Sequence, residues 1–170
     1  MAIRDRLDAR CPRCGGRALF VEPYVFSAKP VAEAGIRRWG GWHIRERYPA
    51  LLPWQAPKGS THTFLTDGPS DGQGYRLLHR GVVECARCGP PFVHTLAWPD
   101  DAWWQWSIRG RLLWAWDREH ALQILAYVRA SDRPPRSTSG PLGSIPSDFL
   151  TAKARPAVVK AIERSLGAAG

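Results

Sequence analysis

Apolar and polar positions alternate most sharply over residues 103–116, WWQWSIRGRLLWAW. Trp104, Trp106, Ile108, Leu112, Trp114 and Trp116 share one parity, which is the period of a strand. The stretch therefore predicts two strands turning near Arg109-Gly110-Arg111, with a tryptophan-rich face. A helix would scatter those rings around its axis. Asp117 then stands where a helix cap belongs, Glu119 suits the positive end of the helix dipole, and Ala121, Leu125 and Val128 recur on one side with Leu122 beside them. That pattern predicts a helix over 118–130, ended by Pro134-Pro135.

Shorter apolar runs at 18–21 (ALFV), 81–84 (GVVE) and 92–96 (FVHTL) predict strands. Residues 22–80 keep neither period and read as loops and short strands, with the turn cluster 66–74 (TDGPSDGQG) as an exposed tip. Residues 133–146 (RPPRSTSGPLGSIP) are rich in breakers and read as a linker. Beyond them Ser147-Asp148 caps a short helical turn and Pro156 opens a further helix, whose apolar side is Val158, Val159, Ile162 and Leu166. Lys153, Lys160 and Arg164 fall along its opposite, basic side. The expected organisation is α+β: a core over 1–132 with the 22–80 insertion, a linker at 133–146, and a basic amphipathic segment at 147–170. A chain of 170 residues is long enough to bury a real interior, but two large independent domains are not expected.

The four cysteines change this picture. They form two matching units, Cys11-Pro12-Arg13-Cys14-Gly15 and Cys85-Ala86-Arg87-Cys88-Gly89. A two-residue spacing lets both sulfurs of a unit reach one tetrahedral ion, and the following glycine permits the positive φ of such a turn. With none left over, the four thiolates predict one closed, structural Zn2+ site. The alternatives are a redox dithiol, which needs a helix N-terminus after the first cysteine, and two ions completed by histidines such as His94. Long separation is no obstacle to sharing. Closing the loop over residues 15–84 costs roughly 4 kcal/mol, against about 10–16 kcal/mol for structural zinc.

At these residues the chain resembles the zinc-ribbon family, in which two CPxCG-like knuckles on β-hairpins share one ion; Ala86 stands where the second knuckle commonly has proline. The blocks IRGRLLWAWDREHALQIL and FLTAKARPAVVKAIERSL are also similar to uncharacterised bacterial zinc-ribbon proteins. The resemblance implies a β core around zinc and no single activity, since zinc ribbons include nucleic-acid binders and protein-docking modules.

Charge points to a partner. The formal net charge is +9, and the excess lies toward the two ends of the chain, a balance that favours polyanions through counterion release. Arginines accompany aromatic rings at Arg37, Arg38, Trp39, Trp42, Arg45 and Arg47, and again at Arg109 and Arg111, with Lys153, Lys160 and Arg164 adding to the basic character. Guanidinium on phosphate with rings stacked on unpaired bases is the chemistry of nucleic-acid recognition. Packing explains the same tryptophans equally simply. No phosphate loop, nucleophile elbow or metalloprotease motif is present, and His43, His62, His79, His94 and His120 are scattered. The expectation is a non-catalytic nucleic-acid-binding protein (DNA or RNA) working within a larger complex. The alternatives are a docking adaptor that uses its C-terminal helix, and an enzyme with a scattered site such as His43 with His62. The opening MAIRDRLDAR lacks a secretory pattern, and no run approaches the ~20 apolar residues of a membrane helix. No membrane partner is expected, and the expected setting is the cytoplasm.

Overall fold

The computed structural model describes residues 6–30, 32–56, 80–135 and 141–168. The strands are β1 (Arg6–Arg10), β2 (Arg17–Val21), β3 (Tyr24–Ser27), β4 (Arg37–Trp39), β5 (Trp42–Glu46), β6 (Arg80–Cys85), β7 (Gly89–Thr95), β8 (Trp104–Ile108) and β9 (Arg111–Ala115). Helix α1 (Arg118–Arg129) follows β9, and two 3-10 turns, Pro141–Ser144 and Ser147–Leu150, precede α2 (Arg155–Ala168). Antiparallel sheets with two helices make the fold α+β, as the patterning predicts. The turn cluster at 66–74, residues 136–140 of the expected linker, and His62 and His79 lie outside the described residues.

The chain divides into two units, one within residues 11–97 and one from residues 7–10 with 98–168. In the first, β2 pairs antiparallel with β6 through Leu19↔Glu84, Phe20↔Val83 and Val21↔Val82, and β6 turns back into β7 with Val82↔Val93 and Val83↔Phe92. These are the three short apolar runs, and Phe20, Val21, Val82 and Val83 are buried. The insertion builds its own small antiparallel sheet in the order β3-β5-β4. Tyr24, Ile44 and Leu52 are buried there, with Phe26, Trp39, Trp42, Trp54 and Val93 packed around them.

In the second unit β1 bridges to Ala102 through Ala9, and its Asp8 amide donates to the Trp116 carbonyl at 2.7 Å. Asp8 also accepts the Trp104 indole N–H at 2.6 Å, which gives that buried ring a polar partner. The β8–β9 hairpin departs from the expected face. Trp104, Trp106 and Ile108 are buried beside Leu113 and Ala115, whereas Leu112 and Trp114 pair with Ser107 and Gln105 on the opposite face. The cause is the turn. Arg109 and Gly110, at φ 53° and 74°, form a two-residue connection that pairs Ile108 with Arg111, so facing partners have opposite parity.

Helix α1 starts as its sequence predicts, with Asp117 accepting the His120 amide at 2.7 Å. His120 does more than occupy the first turn. Its ring is fully buried and stacked on Trp116 at 4.3 Å; Nδ1 accepts the Trp116 amide, so Nε2 donates to the Pro141 carbonyl. Ala121, Ile124, Leu125 and Val128 of α1 share one hydrophobic cluster with the hairpin, with Ile145 and Phe149, and with Val158 and Ile162 of α2. The expected boundary at 133–146 therefore falls inside this unit. Arg133, the first residue of the expected linker, donates to Ala130 O and Leu150 O, satisfying a carbonyl at the α1 C-terminus. Val158 and Ile162, the side on which a helix-docking role depends, are each 0% exposed.

Candidate metal centre

Each knuckle is shaped by its backbone before any ion is considered. In the first, the Gly15 amide donates to Cys11 O and the Cys11 amide to Gly16 O, both at 2.8 Å. In the second, the Cys88 amide donates to Cys85 O at 3.1 Å. Gly15 and Gly89 take φ of 69° and 78°, the left-handed conformation that glycine adopts without penalty. Hairpin β6–β7 carries the second knuckle at its tip, and β2 leaves the first and pairs with β6.

The four sulfurs converge. All lie within 4.8 Å of one another, with Cys11 Sγ 3.7 Å from Cys88 Sγ and Cys14 Sγ 3.6 Å from Cys85 Sγ. Each close pair takes one cysteine from each knuckle, so the centre is shared. Four thiolates held 2.3 Å from a tetrahedral ion stand about 3.8 Å apart, close to the spacing seen. A disulfide requires about 2.05 Å, and all four cysteines are free thiols. The cluster can hold one metal ion. It is also the one grouping of three or more His, Cys, Asp or Glu ligand atoms among the described residues.

Electrostatics in the cluster is uneven. Burial acts to raise the Cys85 thiol, but the Arg87 and Cys88 amides and the hydrogen-bonded Cys14 and Cys11 outweigh it, bringing the thiol down to about 7. Cys88 goes the other way. Its hydrogen bond to Cys14, with burial and the remaining sulfurs, pushes it up to about 12. Four thiols this close shed a first proton readily and resist losing the last, because thiolates repel. A bound dication removes that resistance.

Around the centre, the Arg13 guanidinium lies 3.6 Å above the centroid of Phe92. Arg87 passes beside Gly16, where an added Cβ would sit 3.3 Å from its Cδ and 3.5 Å from Cys14 Sγ. Tyr48 donates to Glu84, one residue before Cys85; burial, then this bond and the carboxylate charge, push the phenol up to about 12.

The basic residues singled out from sequence divide between the two units. Strand alternation puts Arg38 opposite His43 and Arg45 opposite Val25 on one face of the small sheet, while Trp39 and Trp42 pair on the other face with the buried cluster. Arg38 and Arg45 are thus separated from the rings by the pleat, whereas Arg37 pairs with Ile44 on the rings' own face, and both tryptophans pack against the buried cluster. Arg37 binds Glu46 at 2.9 Å, Arg45 approaches Glu33 at 3.7 Å, and Arg47 donates to Glu22 O at 3.2 Å. In the other unit Arg109 donates to Lys153 O at 3.0 Å and Arg111 pairs with Asp148 at 2.5 Å. Lys153 lies just before α2 rather than on it, and Lys160 and Arg164 are exposed on the helix. Arg38, Arg87, Lys160 and Arg164 have no carboxylate partner among the described residues. Asp148, read from sequence as a helical cap, and Phe92, read as part of a strand, were not singled out as partners of arginines. An exposed acid and a strand phenylalanine carry no local signal of the arginines they meet.

The chain matches no family model, no curated protein and no solved structure. The class that fold and site define is an α+β protein with a tetracysteine centre able to hold one metal ion.

Proposed function

We propose that the ion is zinc, that its role is structural, and that the protein binds nucleic acid without catalysing a reaction on it. The convergence of four sulfurs from two knuckles to within 4.8 Å of one another is the observation that supports the first part. Four soft thiolates suit zinc, and a site closed by four protein ligands leaves no position for water or substrate. The net charge of +9, with exposed arginines and lysines that have no acidic partner among the described residues, supports a polyanionic ligand.

The test is purification of the native chain with elemental analysis, followed by fluorescence titration of a single-stranded oligonucleotide across a salt series. The expected result is one zinc per chain and an affinity that falls steeply from about 50 to about 200 mM salt. Substoichiometric metal in folded protein would remove the structural role. Absence of oligonucleotide binding at the lowest salt would remove the nucleic-acid reading.

A further inference from the structure

The tip of the β8–β9 hairpin lies against the chain that enters α2, and a cleft of about 290 Å³ opens between them. Ile108, Phe149 and Ala154 form its apolar floor, and Arg109, Arg111, Asp148 and Thr151 stand around it. Two features set it apart from ordinary surface. Arg109 is the one non-glycine residue with a positive φ among the described residues, in a turn position where asparagine or glycine fits with less strain. That conformation is coupled to the Arg109 guanidinium reaching Lys153 O. The second feature is Asp148, whose carboxylate meets Arg111 at 2.5 Å although both side chains are more than half exposed.

From these we infer that the cleft is a phosphate site for the backbone of a nucleic acid, with the Asp148 carboxylate occupying the place of the phosphate in the free protein. This rests on the nucleic-acid reading proposed above. Arg109 uses one of its N–H groups on Lys153 O, and the rest of its fork stays available. Arg111 is held by an exposed ion pair, which is weak enough for a phosphodiester to displace. Two guanidinium groups, Arg109 and Arg111, thus stand around the cleft with one carboxylate, Asp148. The excess of positive charge favours an anionic ligand, and a strand with repeating phosphates can offer Arg109 and Arg111 acceptor oxygens from more than one phosphate. Asp148 sets the threshold, since it is exchanged for phosphate as the strand binds.

The test compares the full-length wild type with Asp148→Asn, and with Arg109→Asn combined with Arg111→Gln, using a fluorescent single-stranded DNA oligonucleotide over a salt series. Asparagine at 109 suits the left-handed turn, and thermal melts report whether each variant is folded. D148N is expected to bind about two- to fivefold more tightly. The double variant is expected to bind more weakly and to lower the salt-dependence slope by about two phosphate contacts. If wild type binds while neither variant shifts affinity or slope, the cleft is not the site and the nucleic-acid reading stands on another surface. If wild type binds no oligonucleotide, that reading and this one both fall. D148N alone binding more weakly would overturn the competitor role of Asp148.

Discussion

Removing the metal should unfold one unit and spare the other. Cys11 and Cys85 are 1% and 3% exposed, so an empty centre leaves thiols buried at van der Waals distance around a void. Besides the sulfurs, the pairing of β2 with β6 joins the two knuckles, and the chain between them spans residues 15–84. Loop closure costs about 4 kcal/mol, structural zinc returns about 10–16 kcal/mol, and a whole domain is stable by only about 5–15 kcal/mol. If zinc is bound as proposed, its loss is thus comparable to or larger than the whole margin of the unit that holds it. The second unit has its own cluster, from Trp104 and Trp106 to Val158 and Ile162, and draws no ligand from the centre. Adding a strong chelator while recording circular dichroism and near-ultraviolet tryptophan signals should erase the β2–β6–β7 contribution and keep the helical one. Cys85→Ser should behave like chelated wild type and fail to recover on adding zinc. A variant that keeps stoichiometric metal and its melting temperature would refute the shared centre. Simultaneous loss of the helices would refute the independence of the two cores.

Three further outcomes follow from local geometry. A Cβ at Gly81 would lie 2.4 Å from Phe20 Cζ and 2.7 Å from Val21 O, so Gly81→Ala should cost about 1–3 kcal/mol or more, read as a lowered urea midpoint. Burial raises the Glu46 carboxyl, but the Trp54 amide and Arg37 outweigh it and lower its pKa. Its stabilisation is thus present above the ordinary carboxylate range and lost as pH falls through the lowered value; Glu46→Gln should cost about 1–3 kcal/mol at neutral pH, a gap that closes on acidification. Ile162→Ala should lose about 2–5 kcal/mol in denaturant unfolding, because the residue is core; an unchanged midpoint would restore α2 as a free docking helix.

What could be read from sequence was chemistry confined to a few neighbouring residues. Cys-x-x-Cys-Gly encodes both ligand spacing and turn, and the structure brings both units together. Asp117 announced α1 because a cap is local. The hairpin was legible as a hairpin, but its faces were not. Parity reverses with the length of the turn, and Arg109-Gly110 is a two-residue turn that Arg111 does not extend. The apolar stripe of α2 was visible, yet a stripe does not say what covers it; only the long-range packing onto α1 and β8 does. Arginines were the least legible. Arg133 reads as linker and satisfies carbonyls of α1 and of the 3-10 turn, while Arg37 reads as a ligand contact and binds Glu46.

The two units also solve the problem of stability differently, and this bears on what the metal is for. In the hairpin unit thirteen buried residues form one cluster, dominated by Trp, Leu, Ile, Val and Phe. In the knuckle unit Tyr24, Ile44 and Leu52 form one small cluster with partly exposed rings packed around it, and Phe20, Val21, Val82 and Val83 are buried on the paired strands. Short sheets of few strands bury a limited apolar area, and small folds of that kind add a metal or disulfides. Free thiols at tetrahedral spacing point to the metal. Such an ion has every coordination position committed to holding strands, so it has none to offer a substrate. Chemistry on a ligand would then have to come from side chains, and among the described residues the fully buried histidine, His120, has both nitrogens committed to backbone groups. On the function proposed above the centre is structural and binding falls to the charged surface, where the Asp148–Arg111 pair is the most directly testable element.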